Sequence, residues 1–404
     1  MRQTHLRWVA AKFGRQASRN DTFDREGFLM TSAEMIRSHG SLPSRIRLAA
    51  RLLFASRAFD VLAVLAGLLL LAVQPMPAGT YTILYPFSGG SDGGKPTSRL
   101  ILDAAGSLYG TTEGGGLGFG TVFELSPNGA GGWNETVLYS FAGGVDGSSP
   151  QHAGVIFDGA GNLYGTTRYG GSKNHGTVFK LTRAGNVWTK TVLHSFGGSK
   201  TEGCYPESGL IIDNLGNLYG TTHACGGTRG TVFEMSPSGG GNWTERIIYG
   251  VATSFAGLIM DAAGNIFGTS RDNKLFELSP NGSGGWNASV IHVFTGTPFD
   301  GGDPEGNLVF DNAGNLYGTT VHGGANGRGT VYKMSHGPSG WNEQLLYSFQ
   351  CCSTTLHSPI GGVVLDASGN IYGTATLGAY YGGIFELVAS KCAYFRFQRL
   401  VFPC

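Results

Sequence analysis

Apolar runs alternate with short, polar, glycine-rich segments along most of the chain. Six of these runs end in an aspartate and lead into a polar turn, at Asp103, Asp158, Asp213, Asp261, Asp311 and Asp366. The phrase "GNLYGTT" or a close variant follows each turn, and successive aspartates are 55, 55, 48, 50 and 55 residues apart. Internal periods of this length indicate a repeat architecture, so the pattern predicts six copies of one structural unit.

Each unit contains four apolar segments of strand length, separated by turn residues. In the third unit these begin with "GLIID" at Gly209, followed by "LYGTT" and "GTVFEMS", and the fourth segment of the first unit is "WNETVLYSF" at Trp133. Short strands at regular spacing favour antiparallel meanders, and four-stranded repeats of this size are typical of propeller blades. The sequence therefore predicts an all-β, six-bladed β-propeller, with repeats at about 97–141, 153–196, 208–250, 255–294, 306–349 and 360–388.

The sixth unit lacks the fourth segment within 360–388. The segment "GTYTILYPF" at 79–87 stands alone before the first unit and shares Thr, Leu, Tyr and Phe with Trp133–Phe141. We therefore expect residues 80–87 to pair antiparallel with 383–388 and close the ring, which would hide two strand edges. On this interpretation the propeller spans 79–388, and 389–404 is a C-terminal tail.

The repeat resembles that of the GloVer (Gloeo/Verruco) tandem-repeat family. The resemblance covers about residues 80–388 and is carried by copies such as "GLIIDNLGNLYGTT" and "GTRGTVFEMS" in the third unit. It implies a propeller-like, exported bacterial protein, and it implies no particular activity.

The first 78 residues have the pattern of an export signal. The uninterrupted apolar run "VLAVLAGLLLLAV" covers 61–73, and four arginines precede it, at Arg45, Arg47, Arg51 and Arg57. This run is short for a membrane span but has the length of a signal-peptide core. We expect cleavage near Ala78 or retention as an N-terminal anchor, and thus a periplasmic, cell-surface or secreted protein. A buried core helix is the alternative interpretation.

The composition excludes some classes of partner. The 404 residues include 28 Lys+Arg, 27 Asp+Glu and 68 Gly. A nucleic-acid-binding surface needs clustered basic residues, which this balance does not favour. We expect a monomer that binds no nucleic acid and contacts a membrane only through an uncleaved N-terminal segment.

The best candidate for a site is the mouth of the central channel, where the first strand of each blade begins. The repeat alignment places Arg99, His152, Glu207, Glu305 and Asn307 there. A mixed set of charged and polar groups around one concave mouth is a candidate ligand pocket. A solvated rim of unrelated polar residues is the alternative. The aspartate repeated in all six units is instead expected to cap its turn.

The sequence predicts no cofactor and no metal site. Asp92, Asp146, Asp300 and Asp303 lie in glycine-rich loops where calcium is conceivable, but no loop has the spaced acidic ligands of a dedicated calcium site, which favours turn formation. Three loop histidines, at His175, His223 and His322, lack metal-ligand spacing.

The cysteines give one pairing. Cys204 and Cys225 flank the first two strands of the third unit on one face, which predicts a disulfide between them. Partners for Cys351, Cys352, Cys392 and Cys404 stay open.

Two functions fit these features. The first is a non-catalytic exported propeller that binds a protein or polysaccharide, or acts as a scaffold at the cell envelope. The alternative is a hydrolase or lyase, acting for example on polysaccharide, with Glu207, Glu305, His152 and Arg99 clustered at the channel mouth. A retaining or inverting carboxylate pair would have to lie within about 10 Å.

Overall fold

The computed structural model describes residues 84–227, 229–251, 257–338, 340–350, 357–375 and 383–388, and the backbone of 396–399. The predicted signal segment and its cleavage site near Ala78 lie outside these residues, as do Cys351, Cys352, Cys392 and Cys404. Within the described residues no helix is both long and apolar enough to cross a membrane.

The chain forms six antiparallel sheets, each with a central path of four strands, arranged as the blades of a propeller ring. Blade one contains β1 (Ile101–Leu102), β2 (Leu108–Thr112), β3 (Thr121–Pro127) and β4 (Trp133–Ser140). A short 3-10 helix, Gly144–Asp146, precedes blade two, which contains β5 (Val155–Phe157), β6 (Leu163–Thr167), β7 (Thr177–Ala184) and β8 (Val187–Ser195). Blade three contains β9 (Gly203–Pro206), β10 (Ile211–Ile212), β11 (Leu218–Cys225), β12 (Gly230–Gly239) and β13 (Asn242–Val251).

The remaining blades repeat the pattern. Blade four contains β14 (Ile259–Met260), β15 (Ile266–Ser270), β16 (Lys274–Pro280) and β17 (Trp286–Val293). Blade five contains β19 (Val309–Phe310), β20 (Leu316–Thr320), β22 (Thr330–Gly337) and β23 (Gly340–Ser348), with a small ladder of β18 (Gly301–Gly302) and β21 (His322–Gly323) beside them. Blade six contains β24 (Val363–Leu365), β25 (Ile371–Ala375), β26 (Gly383–Val388) and β27 (Arg396–Arg399). The predicted fold class is confirmed.

The repeated aspartate caps the turn between the first two strands, as predicted. In blade one, the carboxylate of Asp103 accepts hydrogen bonds from the backbone amides of Ala105 and Ser107, at 2.9 and 2.8 Å, and from the Tyr109 hydroxyl at 3.1 Å. The same two backbone contacts recur in the other five blades. An aspartate that bonds backbone amides two and four residues ahead holds the chain in a turn, which explains why six identical carboxylates are needed.

The hydrophobic core lies between blades. Five buried clusters each combine side chains of two consecutive blades, from the pair one–two to the pair five–six. The phenylalanine that follows the fourth strand contacts an aromatic ring on the third strand of the next blade; the ring centroids of Phe141 and Phe179 are 5.2 Å apart, and those of Phe196 and Phe233 are 5.3 Å apart. Each blade thus covers the apolar face of its neighbour.

The glycine of the "YGTT" phrase is required by this packing. A Cβ atom at Gly220 would lie 2.7 Å from Cζ of Phe233 and 2.9 Å from Cδ2 of Leu210. Overpacking a core costs about 1–3 kcal/mol, so we expect Gly220→Ala to lower the free energy of unfolding by that amount in denaturant titrations. Gly159→Ala is the control, because nothing lies within 4 Å of a Cβ there. Equal stabilities of the two variants would contradict this account of the packing.

The predicted closure by the N-terminal strand is wrong in its pairing partner. Strand β26 pairs with β25 on one edge and with β27 on the other, with Val388 opposite Arg396 and Phe385 opposite Arg399. A strand has only two edges, so residues 80–87 have no free edge along Phe385–Val388. The sheet of blade six therefore takes its fourth strand from the segment predicted to be a tail.

The start of the described chain contacts blade one. Phe87 contacts Phe123 of β3 with ring centroids 4.8 Å apart, as the phenylalanine after each fourth strand contacts the following blade. Residues 84–87 nevertheless form no strand. Phe87 thus makes the contact of a phenylalanine that follows a fourth strand, although the residues before it are not part of a ladder.

Candidate ligand-binding surface between blades two and three

The loops that enter each blade share an unusual backbone conformation. In five blades this loop contains a proline, which we call the entry proline. The residue before it has a positive φ, at Lys95, Ser149, Tyr205, Asp303 and Ser358. Such a conformation is uncommon for residues other than glycine and persists where the surroundings hold it. Here the backbone docks on the preceding blade; for example, the amide of Tyr205 donates to the carbonyl of His175 at 2.8 Å. Each of the five positions lies five or six residues before the first strand of the four-stranded path of its blade.

Blade three differs most from the others around its entry loop. Strand β11 has eight residues where the second strands of the other blades have five, and its extension pairs with the additional strand β9. Cys204 on β9 and Cys225 at the end of β11 are joined by a disulfide, and Cys204 is fully buried. The structure therefore places these two cysteines where the sequence analysis paired them. Blade three presents a covalently fixed entry loop.

Glu207 lies on this loop, immediately after Pro206. Its side chain is fully buried, which the sequence did not anticipate for a residue at a solvent-filled mouth. One carboxylate oxygen forms an ion pair with Arg168 of blade two, and the other lies 3.1 Å from Nδ1 of His223 on β11. A buried carboxylate requires compensating partners, and here they come from two blades. Glu207 thus acts as a link between blades.

Aromatic side chains surround this ion pair. The guanidinium of Arg168 lies 5.2 Å from the ring centroid of Tyr169, and the Tyr169 ring is 5.7 Å from that of Tyr205. The imidazole of His175 lies 5.4 Å from Tyr205 on its other side. Tyr169 is 37% exposed, while Tyr205 and His175 are half-buried. We call these four residues, Arg168, Tyr169, His175 and Tyr205, the blade two–three surface.

The other four residues predicted at the mouth are Arg99, His152, Glu305 and Asn307. Arg99 and His152 are exposed, and His152 has a φ of 60°. Asn307 is half-buried, and its side-chain oxygen accepts a hydrogen bond from the amide of Gly257 at 2.6 Å. Glu305 forms an ion pair with Arg271 at 3.1 Å. In the part of the chain that the structure describes, no hydrogen bond or ion pair joins any two of the five predicted residues.

The two pairs Arg168–Glu207 and Arg271–Glu305 are equivalent. In each, an arginine directly after the second strand of one blade contacts the glutamate directly after the entry proline of the next blade. The blade four–five pair has aspartates, Asp272 and Asp303, at the positions of the two tyrosines. An oxygen of the Asp303 carboxylate lies 2.7 Å from Nδ1 of His322. The aromatic character of the blade two–three surface is therefore not imposed by the fold.

The side chains of this surface offer both stacking faces and hydrogen-bond donors. Tyrosine rings offer flat apolar faces with polar edges, and the arginine and histidine offer planar hydrogen-bond donors. The carboxylate of Glu207 lies against Arg168 and the imidazole of His223, and that of Glu305 is paired with Arg271. Each of these two carboxylates thus contacts an arginine of the preceding blade.

Two further grooves lie at the end of the blades that carries the aspartate-capped turns, opposite to the end that carries the entry loops. One is lined by Asp261, Asp311, Phe267 and Trp341 between blades four and five, and the other by Asp103, Asp158, Tyr109 and Trp188 between blades one and two. Their lining residues belong to positions that recur around the ring and serve turn capping or core packing. These grooves are accordingly less distinctive than the blade two–three surface.

These features define a six-bladed repeat propeller with an aromatic surface at the mouth between two of its blades. The family model described as the Gloeobacter/Verrucomicrobia repeat matches residues 71–188 and 120–277. The chain therefore belongs to the Gloeobacter/Verrucomicrobia repeat family, as the resemblance in the sequence indicated. The comparison with curated proteins gives no match.

Several solved structures are similar in outline. A catalytically inactive virginiamycin B lyase from Staphylococcus aureus, crystallised with quinupristin, has 14% identity and a TM-score of 0.47, with 76% of this chain and 84% of that chain covered. A protein from Lactobacillus plantarum has 14% identity and a TM-score of 0.47, with coverage of 75% and 84%. A luciferin-regenerating enzyme has 14% identity and a TM-score of 0.43, with coverage of 74% and 94%.

Proposed function

We propose that this protein is an exported, non-catalytic binding propeller whose ligand contacts the blade two–three surface. The observation that carries the proposal is the exposed Tyr169 ring of blade two, which lies beside Arg168 and beside Tyr205, a residue of the blade-three entry loop that the Cys204–Cys225 disulfide fixes. A preorganised loop loses little conformational entropy when a ligand binds, so more of the contact energy appears as affinity.

The ligand class that fits this chemistry best is a polysaccharide of the cell envelope. Sugar rings carry apolar C–H faces that pack on aromatic rings, and their hydroxyls match the donors of Arg168 and His175. The ion pair with Glu207 neutralises part of the positive charge of Arg168, so the surface does not depend on an acidic ligand. A protein partner is the other outcome that the experiment distinguishes.

Export is part of the same proposal. It is supported by the apolar run at 61–73 with its preceding arginines, and by the disulfide between Cys204 and Cys225. Structural disulfides persist in oxidising compartments and are rare in the cytosol.

The test is affinity electrophoresis of the purified protein in gels that contain a neutral β-glucan, polygalacturonate or solubilised peptidoglycan. We expect at least one of these polymers to retard the protein, and Tyr169→Ala and Tyr205→Ala to weaken the retardation roughly tenfold, equivalent to about 1.4 kcal/mol. Arg271→Ala is the matched control, because it removes the equivalent arginine of the blade four–five pair, and it should bind like the unaltered protein. Equal retardation of all variants, or no retardation by any polymer, would count against a polysaccharide ligand at this surface.

A further inference from the structure

A second set of polar residues recurs between blades, at three equivalent positions. The first position is the residue two before the phenylalanine that follows the fourth strand. The second is an acidic residue in the next entry loop, five or six residues after that phenylalanine. The third is on the fourth strand of the next blade, two residues after its tryptophan. We call each such trio an inter-blade triad.

The triad between blades one and two contains its own cation. It consists of Tyr139, Asp146 and Lys190. The Tyr139 hydroxyl and the Lys190 ammonium both donate to Oδ1 of Asp146, at 2.7 and 2.8 Å. The Lys190 side chain is only 3% exposed, and its nitrogen also donates to the carbonyl of Asp146. Burial alone favours a neutral carboxyl, yet the bond from Lys190 lowers the pKa of Asp146 below its usual value. This position in the fold is therefore built to enclose a positive charge.

Two other triads replace the tyrosine with histidine and the lysine with glutamate. They consist of His194, Glu202 and Glu245 between blades two and three, and of His292, Asp300 and Glu343 between blades four and five. In each, one nitrogen and two carboxylate oxygens lie within 4.8 Å of one another. In each of these two triads, a second carboxylate stands at the position where Lys190 supplies the cation between blades one and two.

We propose that these two triads each bind a divalent transition-metal ion of the zinc class, which takes the place of the Lys190 ammonium. Zinc ligands of nitrogen and oxygen lie about 2.0–2.1 Å from the metal, which puts neighbouring ligand atoms about 3.3 Å apart in a tetrahedral site. In the blade four–five triad, Nε2 of His292 lies 3.1 Å from Oδ1 of Asp300 and 3.7 Å from Oε2 of Glu343. In the blade two–three triad, Nε2 of His194 lies 3.5 Å from Oε1 of Glu202. The observed spacing brackets that of a zinc site, with the fourth position left to water.

The surrounding contacts hold the ligand atoms in place. The loop carboxylate is anchored through one oxygen by the amide of the residue after the phenylalanine, from Gly197 to Glu202 at 3.0 Å and from Thr295 to Asp300 at 2.7 Å. Its other oxygen is turned to the histidine. The histidine follows directly after a bulge in the fourth strand, and a bulge re-aims the side chains beside it. In metal sites, the side chains that bind the metal are characteristically held in place by hydrogen bonds to neighbouring groups.

The unpaired atoms of the triads also point to a cation. Buried oxygens of Glu245 and Glu343 and Nε2 of His194 have no hydrogen-bond partner. Two carboxylates that lack a partner cation are costly to bury, and a divalent ion removes that cost.

The metal would fix the loop that carries the proposed ligand surface. Glu202 and Tyr205 belong to the same entry loop, and Glu202 would be tied through the ion to β8 and β13. The inference does not depend on the proposed function, because metal content can be measured without any ligand.

The test is the zinc content of the full-length, tag-free protein after removal of metals by chelation, alkylation of free thiols and dialysis against zinc. We expect two zinc ions per chain. Glu245→Gln and Glu343→Gln should each reduce this to one, and the double variant should bind none. The site left intact in each single variant reports that the chain has folded.

Two matched variants test whether the position itself selects a cation. Glu135 occupies the third position between residues 84–87 and blade one, where Tyr85 stands in place of histidine, so Glu135→Gln should keep two zinc ions. Tyr139→His combined with Lys190→Glu should create a third site and raise the content to three. Zinc content that is unchanged in the Glu245→Gln, Glu343→Gln double variant, or an absence of bound zinc in the unaltered protein, would overturn the proposal.

Discussion

Replacement of Phe196 with alanine should lower the free energy of unfolding by about 3–5 kcal/mol. Phe196 is fully buried at the end of blade two, where it contacts Phe233 of blade three at 5.3 Å and the His194 ring at 4.8 Å. Truncation would leave a cavity between two rigid sheets that cannot close independently, because both belong to the ring. Denaturant unfolding followed by tryptophan fluorescence measures the loss.

The control for this variant is Val187→Ala in the same blade. Val187 is 65% exposed at the start of β8, so its truncation should change the stability by no more than about 0.5 kcal/mol. A loss of less than about 1 kcal/mol for Phe196→Ala would mean that the inter-blade aromatic contacts do not hold the ring together.

The second large effect concerns the disulfide of blade three. Cys204→Ser combined with Cys225→Ser should cost about 3 kcal/mol, because the bond closes a loop between residues 21 apart and restricts the unfolded chain. Blade five forms the equivalent two-residue ladder of β18 and β21 without cysteines, so the backbone pairing itself should survive in the variant.

Reductant provides the control for this prediction. Thermal unfolding of the unaltered protein should shift to lower temperature when the disulfide is reduced. The double-serine variant lacks this disulfide, so reductant should not produce the same shift in its unfolding temperature. A variant as stable as the oxidised protein would show that the disulfide adds nothing to the folded state.

The regular features of this fold follow from the sequence because they recur. Six copies of the capped turn and of "YGTT" or a close variant indicate the number of blades, the strand order and the place of the core. The closing strand of blade six could not be found in this way, because "RFQR" at 396–399 shares no repeat phrase with the other fourth strands. Its short alternation of polar and aromatic residues was the available signal.

The candidate surface was less predictable, because it depends on backbone conformation and on contacts between repeats. A residue before proline is normally extended, and nothing in the sequence announces the positive φ that places the Tyr205 ring beside Tyr169. The burial of Glu207 also depends on Arg168, which lies in the preceding unit. Columns of the repeat alignment did contain a usable signal for the triads. Histidine replaces tyrosine at 194 and 292, and glutamate follows at 245 and 343, whereas Glu135 is preceded by Tyr85.

The location of the ligand is the central claim, and hydrogen–deuterium exchange with and without a bound polysaccharide tests it most directly. We expect slower exchange to be confined to peptides that cover 168–176 and 203–207, where the four residues of the blade two–three surface lie. Peptides that carry Arg271 and Glu305, the equivalent pair between blades four and five, should exchange at the same rate in both samples. Protection at blades four and five, or in the grooves lined by Trp188 and Trp341, with none at blades two and three, would contradict the account.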